Sequence, residues 1–198
     1  MILAQSELRK EVESGAIRFD PPLEERQWGE ASIDLRLGLK FTKLKPAPAA
    51  IFSMARGIGV IADSGLWVQK TLREKDEFEK RETIVLEPSE FILALTHERI
   101  WVPNHLIGLV EGRSTYARVG LSMHQTAPWI QPGWNGQITL EIRNSGPLRI
   151  ELTPLTDMPC QLTFFQLSSS LDTSQAYGSR TTDTYQNQTA ALPKSGTS

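Results

Sequence analysis

Gln137-Ile138-Thr139-Leu140-Glu141-Ile142-Arg143 has the cleanest alternation of polar and apolar residues in the chain. A period of two residues is that of a β-strand, whose successive side chains point to opposite faces of a sheet. The pattern therefore predicts a strand with its three aliphatic residues on an inner face and Glu141 on the outer face.

Further strands are predicted on both sides of this stretch, each ended by turn residues. The predicted segments are 32–37, 83–86, 91–96, 106–110, 148–152 and 161–167. Many short strands at such spacing predict a β-sandwich, a barrel or a jelly roll. One short helix is predicted before them, with Ser6 as its N-cap, Leu8 and Val12 on one face, and Gly15 at its end.

Two segments do not show a clear strand pattern. Residues 45–82 are rich in Pro and Gly, and the charged run from Arg73 to Glu82 is typical of a solvated loop or a hairpin tip. Residues 168–198 are rich in Ser, Thr and Gln, which predicts a tail ordered only by a partner or a ligand. With 198 residues and no internal repeat, a single domain spanning 1–198 is expected.

The composition excludes some classes of protein and favours others. With 39% hydrophobic and 22% charged residues, the chain matches an ordinary soluble globular protein. A net charge of −2, from 21 basic and 23 acidic residues, argues against a nucleic-acid partner. The lone Cys160, the absence of a signal-peptide pattern and the lack of a long apolar run predict a cytoplasmic protein with no membrane association.

The segment Gly112-Arg113-Ser114-Thr115-Tyr116-Ala117-Arg118 has the chemistry of an anion site. Arg113 offers a guanidinium fork to phosphate oxygens, and Ser114 and Thr115 add hydroxyl donors. If a helix starts here, its free N–H groups also favour an anion, and Ser114 and Arg118 share one face. Taken alone, this string fits a surface turn and a short basic helix better than a phosphate site.

Glu141 is the candidate general base. A zinc deaminase needs a Cys-x-x-Cys pair, which one cysteine cannot supply, and the three histidines show no His-Glu-x-x-His spacing. Any hydrolytic chemistry must then activate water without zinc. A solvated surface charge is the alternative for Glu141, but the apolar, aromatic segment 127–134 before it and an oligomer covering the outer face weigh against that interpretation.

Four segments together resemble one family. Residues 112–121 are similar to the Gly-Arg-Ser-Ser-x-Ala-Arg-x-Gly-Leu motif of dCTP deaminases, members of the trimeric dUTPase-like superfamily. Residues 126–141 resemble the second block of that family, with Thr-Ala, Ile, Pro-Gly-Trp, Gly and Leu-Glu in order at matching spacing. Residues 31–38 resemble its first motif, and Tyr177 with 185–188 resembles its C-terminal segment that closes over the nucleotide.

The resemblance implies a mainly β fold, a distorted jelly roll of the dUTPase-like β-clip type with a short N-terminal helix. It also implies a homotrimer with active sites between subunits, dCTP as substrate, and Mg²⁺ carried on the triphosphate without a protein ligand. Residues 168–198 are then expected to close over the nucleotide. The reaction implied is the zinc-independent deamination of dCTP to dUTP and ammonia.

The family's site residues are carried over by position. Glu141 matches the catalytic glutamate that deprotonates the attacking water, and Ser114 and Arg118 match residues that orient the water and the tetrahedral centre. The positions implied to contact substrate are Arg113, Ser114, Thr115, Arg118, Ala127, Trp129, Gln131, Thr139, Leu140, Tyr177, Thr184 and Gln188.

Three positions depart from the family pattern. Gln131 stands where an aspartate meets the sugar 3′-hydroxyl and, in dUTPases, also prepares water for the α-phosphate. Trp129 replaces an arginine common in monofunctional deaminases, and an aromatic residue there is seen in some bifunctional ones. Thr184 replaces a lysine of the tail that commonly binds triphosphate.

Two alternative functions remain open from the sequence. One is a bifunctional dCTP deaminase and dUTP diphosphatase giving dUMP, which Gln131 disfavours because an amide cannot act as a carboxylate base. The other is a nucleotide sensor without turnover, which the joint presence of Glu141, Ser114 and Arg118 disfavours.

Overall fold

The structure is a computed structural model that describes residues 1–48, 51–53, 55, 64–73 and 82–192. Twelve strands and two short α-helices make up the described part of the chain. The helices are α1 (Gln5–Glu13) and α2 (Ser114–Ala117), with a 3₁₀ helix at Glu25–Gln27. The strands are β1 (Arg18–Asp20), β2 (Ile33–Leu35), β3 (Leu37–Leu44), β4 (Trp67–Thr71), β5 (Ile84–Leu86), β6 (Phe91–Trp101), β7 (Leu106–Gly112), β8 (Leu121–Ser122), β9 (Trp129–Ile130), β10 (Asn135–Asn144), β11 (Ile150–Leu152) and β12 (Cys160–Gln166).

Two antiparallel sheets form the body of the fold. The larger has the order β4-β3-β6-β10-β8, with β1 also paired to β6, and the smaller has the order β2-β12-β7-β9. A separate pair joins β11 and β5. The fold is therefore mainly β, as the strand spacing predicted.

The core contains the inner face of β10. Ile138, Leu140 and Ile142 are buried, and they belong to the same apolar cluster as Leu162 and Phe164 of β12. The alternation read from residues 137–143 is confirmed, and the strand runs slightly further at both ends than the pattern indicated.

The N-terminal helix begins earlier than predicted. Ser6 is not its N-cap, because the helix starts at Gln5 and Ala4 holds the cap position. The backbone N–H of Gln5 donates to the carbonyl of Glu30 at 2.7 Å, so a chain contact satisfies the helix end without a serine. Gly15 follows the helix with φ +78°, as its predicted terminating role requires.

Strand β4 was missed by the sequence analysis, since it lies in the Pro- and Gly-rich region 45–82. It pairs with β3, with Trp67 opposite Leu44. Residues 74–81, most of the charged run predicted as a loop or a hairpin tip, lie outside the described residues, as do 49–50, 54, 56–63 and 193–198.

A bulge in β6 turns Glu98 into the core. Gln137 faces Arg99 and Thr139 faces Leu95, so β6 uses four steps where β10 uses two. The Glu98 side chain is fully buried and accepts hydrogen bonds from Arg36 Nε at 2.7 Å and from Gln27 Nε2 at 2.9 Å. Its second oxygen accepts the backbone N–H of Arg36 at 2.9 Å. One carboxylate thus joins β6, the β2–β3 junction and the 3₁₀ helix.

Within the described residues, no helix is both long and apolar enough to cross a membrane.

Replacing Glu98 by Gln should destabilise the protein strongly. The amide removes the buried counter-charge of Arg36, whose other partner Glu24 is 42% exposed, and breaking a buried pair costs up to about 3–5 kcal/mol in the free energy of unfolding. Urea denaturation followed by tryptophan fluorescence measures the change. Glu87→Gln is the matched control, because its partner Arg149 is 69% exposed and surface pairs are worth about 0–1 kcal/mol. Equal effects of the two substitutions would contradict the role given to Glu98.

Candidate active site

A cavity of about 410 Å³ is lined by the outer face of the larger sheet, the segment 124–134 and the C-terminal segment. Its size lies in the range of small-molecule sites, roughly 300–1,000 Å³. Seven of the predicted site residues line it: Ala127, Trp129, Gln131, Thr139, Glu141, Tyr177 and Gln188.

The sheet register explains why two apolar residues share the cavity with Glu141. Leu93 of β6 lies directly opposite Glu141, and Phe91 lies opposite Arg143. Residues directly opposite each other in an antiparallel pair point to the same face. Phe91 and Leu93 therefore line the wall beside the candidate base. Which residues β10 would face was not predictable from the alternation of 137–143.

Glu141 is held by the segment that follows β8. Its Oε2 accepts the backbone N–H of Gln125 at 2.9 Å, and its backbone N–H donates to the carbonyl of Met123 at 2.9 Å. The side-chain amide of Gln125 donates to the Glu141 carbonyl at 3.1 Å. Among the described residues none donates to Oε1, so one oxygen fixes the carboxylate while the other can accept a proton.

The C-terminal segment reaches the cavity beside β10. Gln188 forms a parallel bridge with Gly136, and its side-chain amide donates to the hydroxyl of Thr139. A Cβ at position 136 would lie 2.8 Å from the Gln188 nitrogen, so only glycine allows this approach. Thr139, one of the positions that the family resemblance implies to contact the substrate, is thereby bonded to the tail.

Three buried polar side-chain atoms have no hydrogen-bond partner within the described residues: Trp67 Nε1, His124 Nδ1 and Trp134 Nε1. All three residues line this cavity. Buried polar groups in proteins almost always have a partner. Within the described residues, the exceptions to this rule thus all belong to side chains of the cavity wall.

The sequence analysis did not select these three residues. Trp134 lies in the aromatic segment 127–134, so its apolar surroundings were a usable signal. His124 was considered only as a zinc ligand, and its Nε2 in fact lies 3.0 Å from Glu111 Oε2. Trp67 comes from β4, which had no readable pattern.

A helix does begin at the predicted phosphate motif, but the motif lies outside this cavity. A helix, α2, starts at Ser114, and Arg113 precedes it in an extended conformation. Arg113 Nη1 lies 3.1 Å from Asp34 Oδ2 and donates to the carbonyl of Met158 at 3.1 Å. Ser114, Thr115 and Arg118 are exposed, and none of the four lines the cavity that contains Glu141.

Two other predicted site residues are also not cavity-lining. The side chain of Leu140 is fully buried in the core, so only its backbone could contact a ligand. The hydroxyl of Thr184 donates to the carbonyl of Thr182 at 3.2 Å.

Burial changes the acidity of several groups near these elements. It raises the pKa of Asp34, against the opposing charge of Arg113. It raises the pKa of Tyr116 to about 12, with a further contribution from the hydrogen bond to Asp157. Burial also raises the pKa of Tyr177 and Tyr185, which line the cavity. These tyrosines therefore stay neutral at physiological pH.

Comparison with known proteins gives one consistent result. A family profile described as dCTP deaminase-like matches residues 2–167. A dCTP deaminase of Rhodospirillum rubrum is 35% identical over 193 residues, which cover 98% of this chain and 95% of that protein. A protein of Methanosphaera stadtmanae named "dCTP deaminase, dUMP-forming" is 33% identical, over 95% of this chain and 90% of that protein.

Among solved structures, the 2′-deoxycytidine 5′-triphosphate deaminase of Agrobacterium tumefaciens has a similar fold. The TM-score is 0.63 at 22% sequence identity, over 88% of this chain. The match spans 50% of that solved chain, so this protein corresponds to about half of it.

Proposed function

We propose that this chain, which belongs to the dCTP deaminase-like family, removes the exocyclic amine of cytosine from dCTP and gives dUTP and ammonia. The observation that carries the proposal is the setting of Glu141. Its carboxylate lines the cavity and is fixed through one oxygen by the Gln125 N–H, while no described residue donates to the second oxygen.

Glu141 is the proposed general base and general acid. It takes a proton from a water molecule, the resulting hydroxide attacks C4 of cytosine, and a C–O bond forms at a tetrahedral centre. The proton then passes from Glu141 to the amine, the C4–N bond to the amine breaks as the C4–N3 double bond, opened by the attack, forms again, and ammonia leaves. Transfer of the C4 hydroxyl proton to N3 gives uracil. Such proton transfer contributes about 10²–10⁴ in rate.

The other predicted residues are assigned supporting roles. Ser114 and Arg118 orient the water and the tetrahedral centre, and the backbone of Thr139–Glu141 contacts the base edge. Arg113, Ser114 and Thr115 contact the triphosphate. The remaining positions proposed to contact the nucleotide are Ala127, Trp129, Gln131, Tyr177, Thr184 and Gln188.

Magnesium enters this proposal with the substrate. Among the described residues, no three His, Cys, Asp or Glu side chains are grouped so that they could hold a metal ion. The proposed Mg²⁺ is the ion that the triphosphate itself brings, with no direct protein ligand. The site is proposed within one domain, with 168–198 closing over the nucleotide, in a cytoplasmic enzyme.

We further propose a homotrimer whose sites are shared between neighbouring subunits. Within one chain, Glu141 lines the cavity while Arg113, Ser114 and Arg118 lie outside it. Both sets are needed for the reaction as assigned, and a neighbouring subunit is the simplest source of the missing set. A closed ring of three, of about 67 kDa or three times 22.2 kDa, would give three equivalent sites.

The first prediction concerns the base. Purified protein with Mg²⁺ should release ammonia from dCTP, and Glu141→Gln should lower kcat by at least about 10² while dCTP still binds. A coupled ammonia assay measures turnover, and calorimetry with dCTP measures binding. Glu151→Gln, an exposed carboxylate of β11, is the control and should stay active. Wild-type protein that releases no ammonia would reject the enzyme and favour the sensor.

The second prediction concerns the shared site. Glu141→Gln and Arg118→Ala should each be inactive, but subunits mixed in equal amounts should recover about one quarter of wild-type activity. That fraction follows from random assembly, because one interface in four then combines an intact Glu141 with an intact Arg118. Light scattering should give about 67 kDa. An active monomer, or mixed trimers without recovery, would contradict sites shared between subunits.

The third prediction concerns the product. Cleavage of the α-phosphate needs a base near the sugar, and Gln131 has no carboxylate. Chromatography of dCTP incubated with enzyme and Mg²⁺ should therefore show dUTP, with pyrophosphate below detection, and Gln131→Asp should add weak pyrophosphate release. Trp129 is the residue that favours the bifunctional alternative. Substantial dUMP from the unmodified protein would establish that alternative instead.

A further inference from the structure

The C-terminal segment 186–188 is fixed beside the start of β10 by its backbone. The Asn187 N–H donates to the carbonyl of Asn135 at 2.6 Å, and the Gln137 N–H donates to the carbonyl of Gln188 at 2.9 Å. The tail therefore continues the hydrogen-bonding pattern of a strand for only a few residues. So short a pairing is weak without side-chain support.

Its two glutamines point inward. Gln186 Nε2 donates to the carbonyl of Gly133 at 2.9 Å, and its Oε1 accepts the Asn135 N–H at 3.0 Å. Gln188 is buried and donates to Thr139 Oγ1 in the cavity. Asn187, between them, is exposed and takes a left-handed conformation with φ +60°, which Asn tolerates better than most residues.

Arg99 of β6 is hydrogen-bonded to that exposed asparagine. Its Nη2 donates to Asn187 Oδ1 at 2.8 Å, and its Nε donates to Asn135 Oδ1 at 2.9 Å. Asn135 Nδ2 donates to the same Asn187 oxygen at 2.7 Å, so each of the three side chains is hydrogen-bonded to the other two. The Arg99 guanidinium also lies 4.9 Å from the ring centre of Trp101, which fixes the fork in place.

We propose that Arg99 is a positioning residue that holds the C-terminal segment closed through Asn187 and thereby sets Gln188 against Thr139. The inference rests on the proposed function, because it assigns the closed tail to the nucleotide-binding state. A site that binds only when closed has an apparent dissociation constant equal to the intrinsic one divided by the closed fraction. Arg99 raises the closed fraction through its hydrogen bonds to Asn187 and Asn135, without a contribution from the nucleotide.

The sequence of the tail makes such a device necessary. Thr184 stands where a lysine would draw the segment towards a triphosphate. Within the described ranges, both its N–H and its hydroxyl donate to the nearby Thr182 carbonyl and to no other group. The charge that closes the tail comes instead from β6, which is part of the rigid sheet. Closure is then a property of the protein and not a response to phosphate charge.

Two variants test the proposed role of Arg99. Arg99→Ala should raise KM for dCTP about tenfold with kcat within about twofold, because a hydrogen bond to a charged group is lost while Glu141 is untouched. Asn187→Gly keeps the left-handed backbone and removes the acceptor, so it should have the same effect. The double variant should raise KM by clearly less than the product of the two single effects, since both substitutions remove the Arg99–Asn187 hydrogen bond.

Limited trypsin digestion without nucleotide gives a second readout that does not depend on catalysis. Arg180, whose side chain is 68% exposed, lies just before the closed segment. Release of the 181–198 peptide and of its 181–194 product, cut after Lys194, is followed by mass spectrometry and should be at least about fivefold faster in Arg99→Ala, because cleavage reports local opening.

Arg18→Ala is the matched control. Arg18 lies 4.8 Å from the same Trp101 ring and carries the same charge, but within the described part of the chain it makes no hydrogen bond to the tail. Its KM and digestion rate should stay within about twofold of wild type.

Several outcomes would contradict the proposed role of Arg99. One is an Arg99→Ala variant that behaves like Arg18→Ala in both assays. Another is a lower melting temperature and a lower kcat at unchanged KM, which would mark Arg99 as merely structural. Wild-type protein without ammonia release would reject the proposed function, and the digestion rates alone would then decide on Arg99.

Discussion

The buried carboxylate of Glu98 is the constraint from which the rest of the site geometry follows. A buried charge is tolerated only when it is paired and fully hydrogen-bonded, and Arg36 and Gln27 provide that pairing. The bulge that turns Glu98 inward also sets the register of β6 against β10, so that Leu93 faces Glu141. The buried charge of Glu98 on one face of the sheet thus determines which residues lie beside the candidate base, Glu141, on the other face.

The division of the site between two kinds of support has a physical logic. The candidate base stands on a central strand, where pairing on both sides keeps its position. The residues that cover it come from the tail, where opening needs only a few hydrogen bonds to break. Opening of the tail would therefore leave the carboxylate of the candidate base in place.

The sequence predicted the parts of this protein that depend on local pattern. The alternation of 137–143 gave β10 and the outward direction of Glu141, and the family resemblance gave the fold. The cross-strand partners of β10 could not be predicted from the sequence. The position of Phe91 and Leu93 depends on a two-residue bulge, which leaves no periodic signal. Trp67 was hidden for a similar reason, since a strand among prolines and glycines has no recognisable period. The separation of Arg113 from Glu141 depends on the path of the chain between β7 and β10, which spacing along the sequence cannot show.

The strict alternation of β10 also limits how this segment can change over time. Side chains on a strand alternate with a period of two, so a shift of one residue moves every side chain to the opposite face. One inserted residue between Gly136 and Glu141 would turn the glutamate into the apolar core and bring an aliphatic side chain to the cavity. Substitutions at single positions alter one contact, whereas a change in length reverses the whole strand. Selection on this segment should therefore act on its length more severely than on most of its letters.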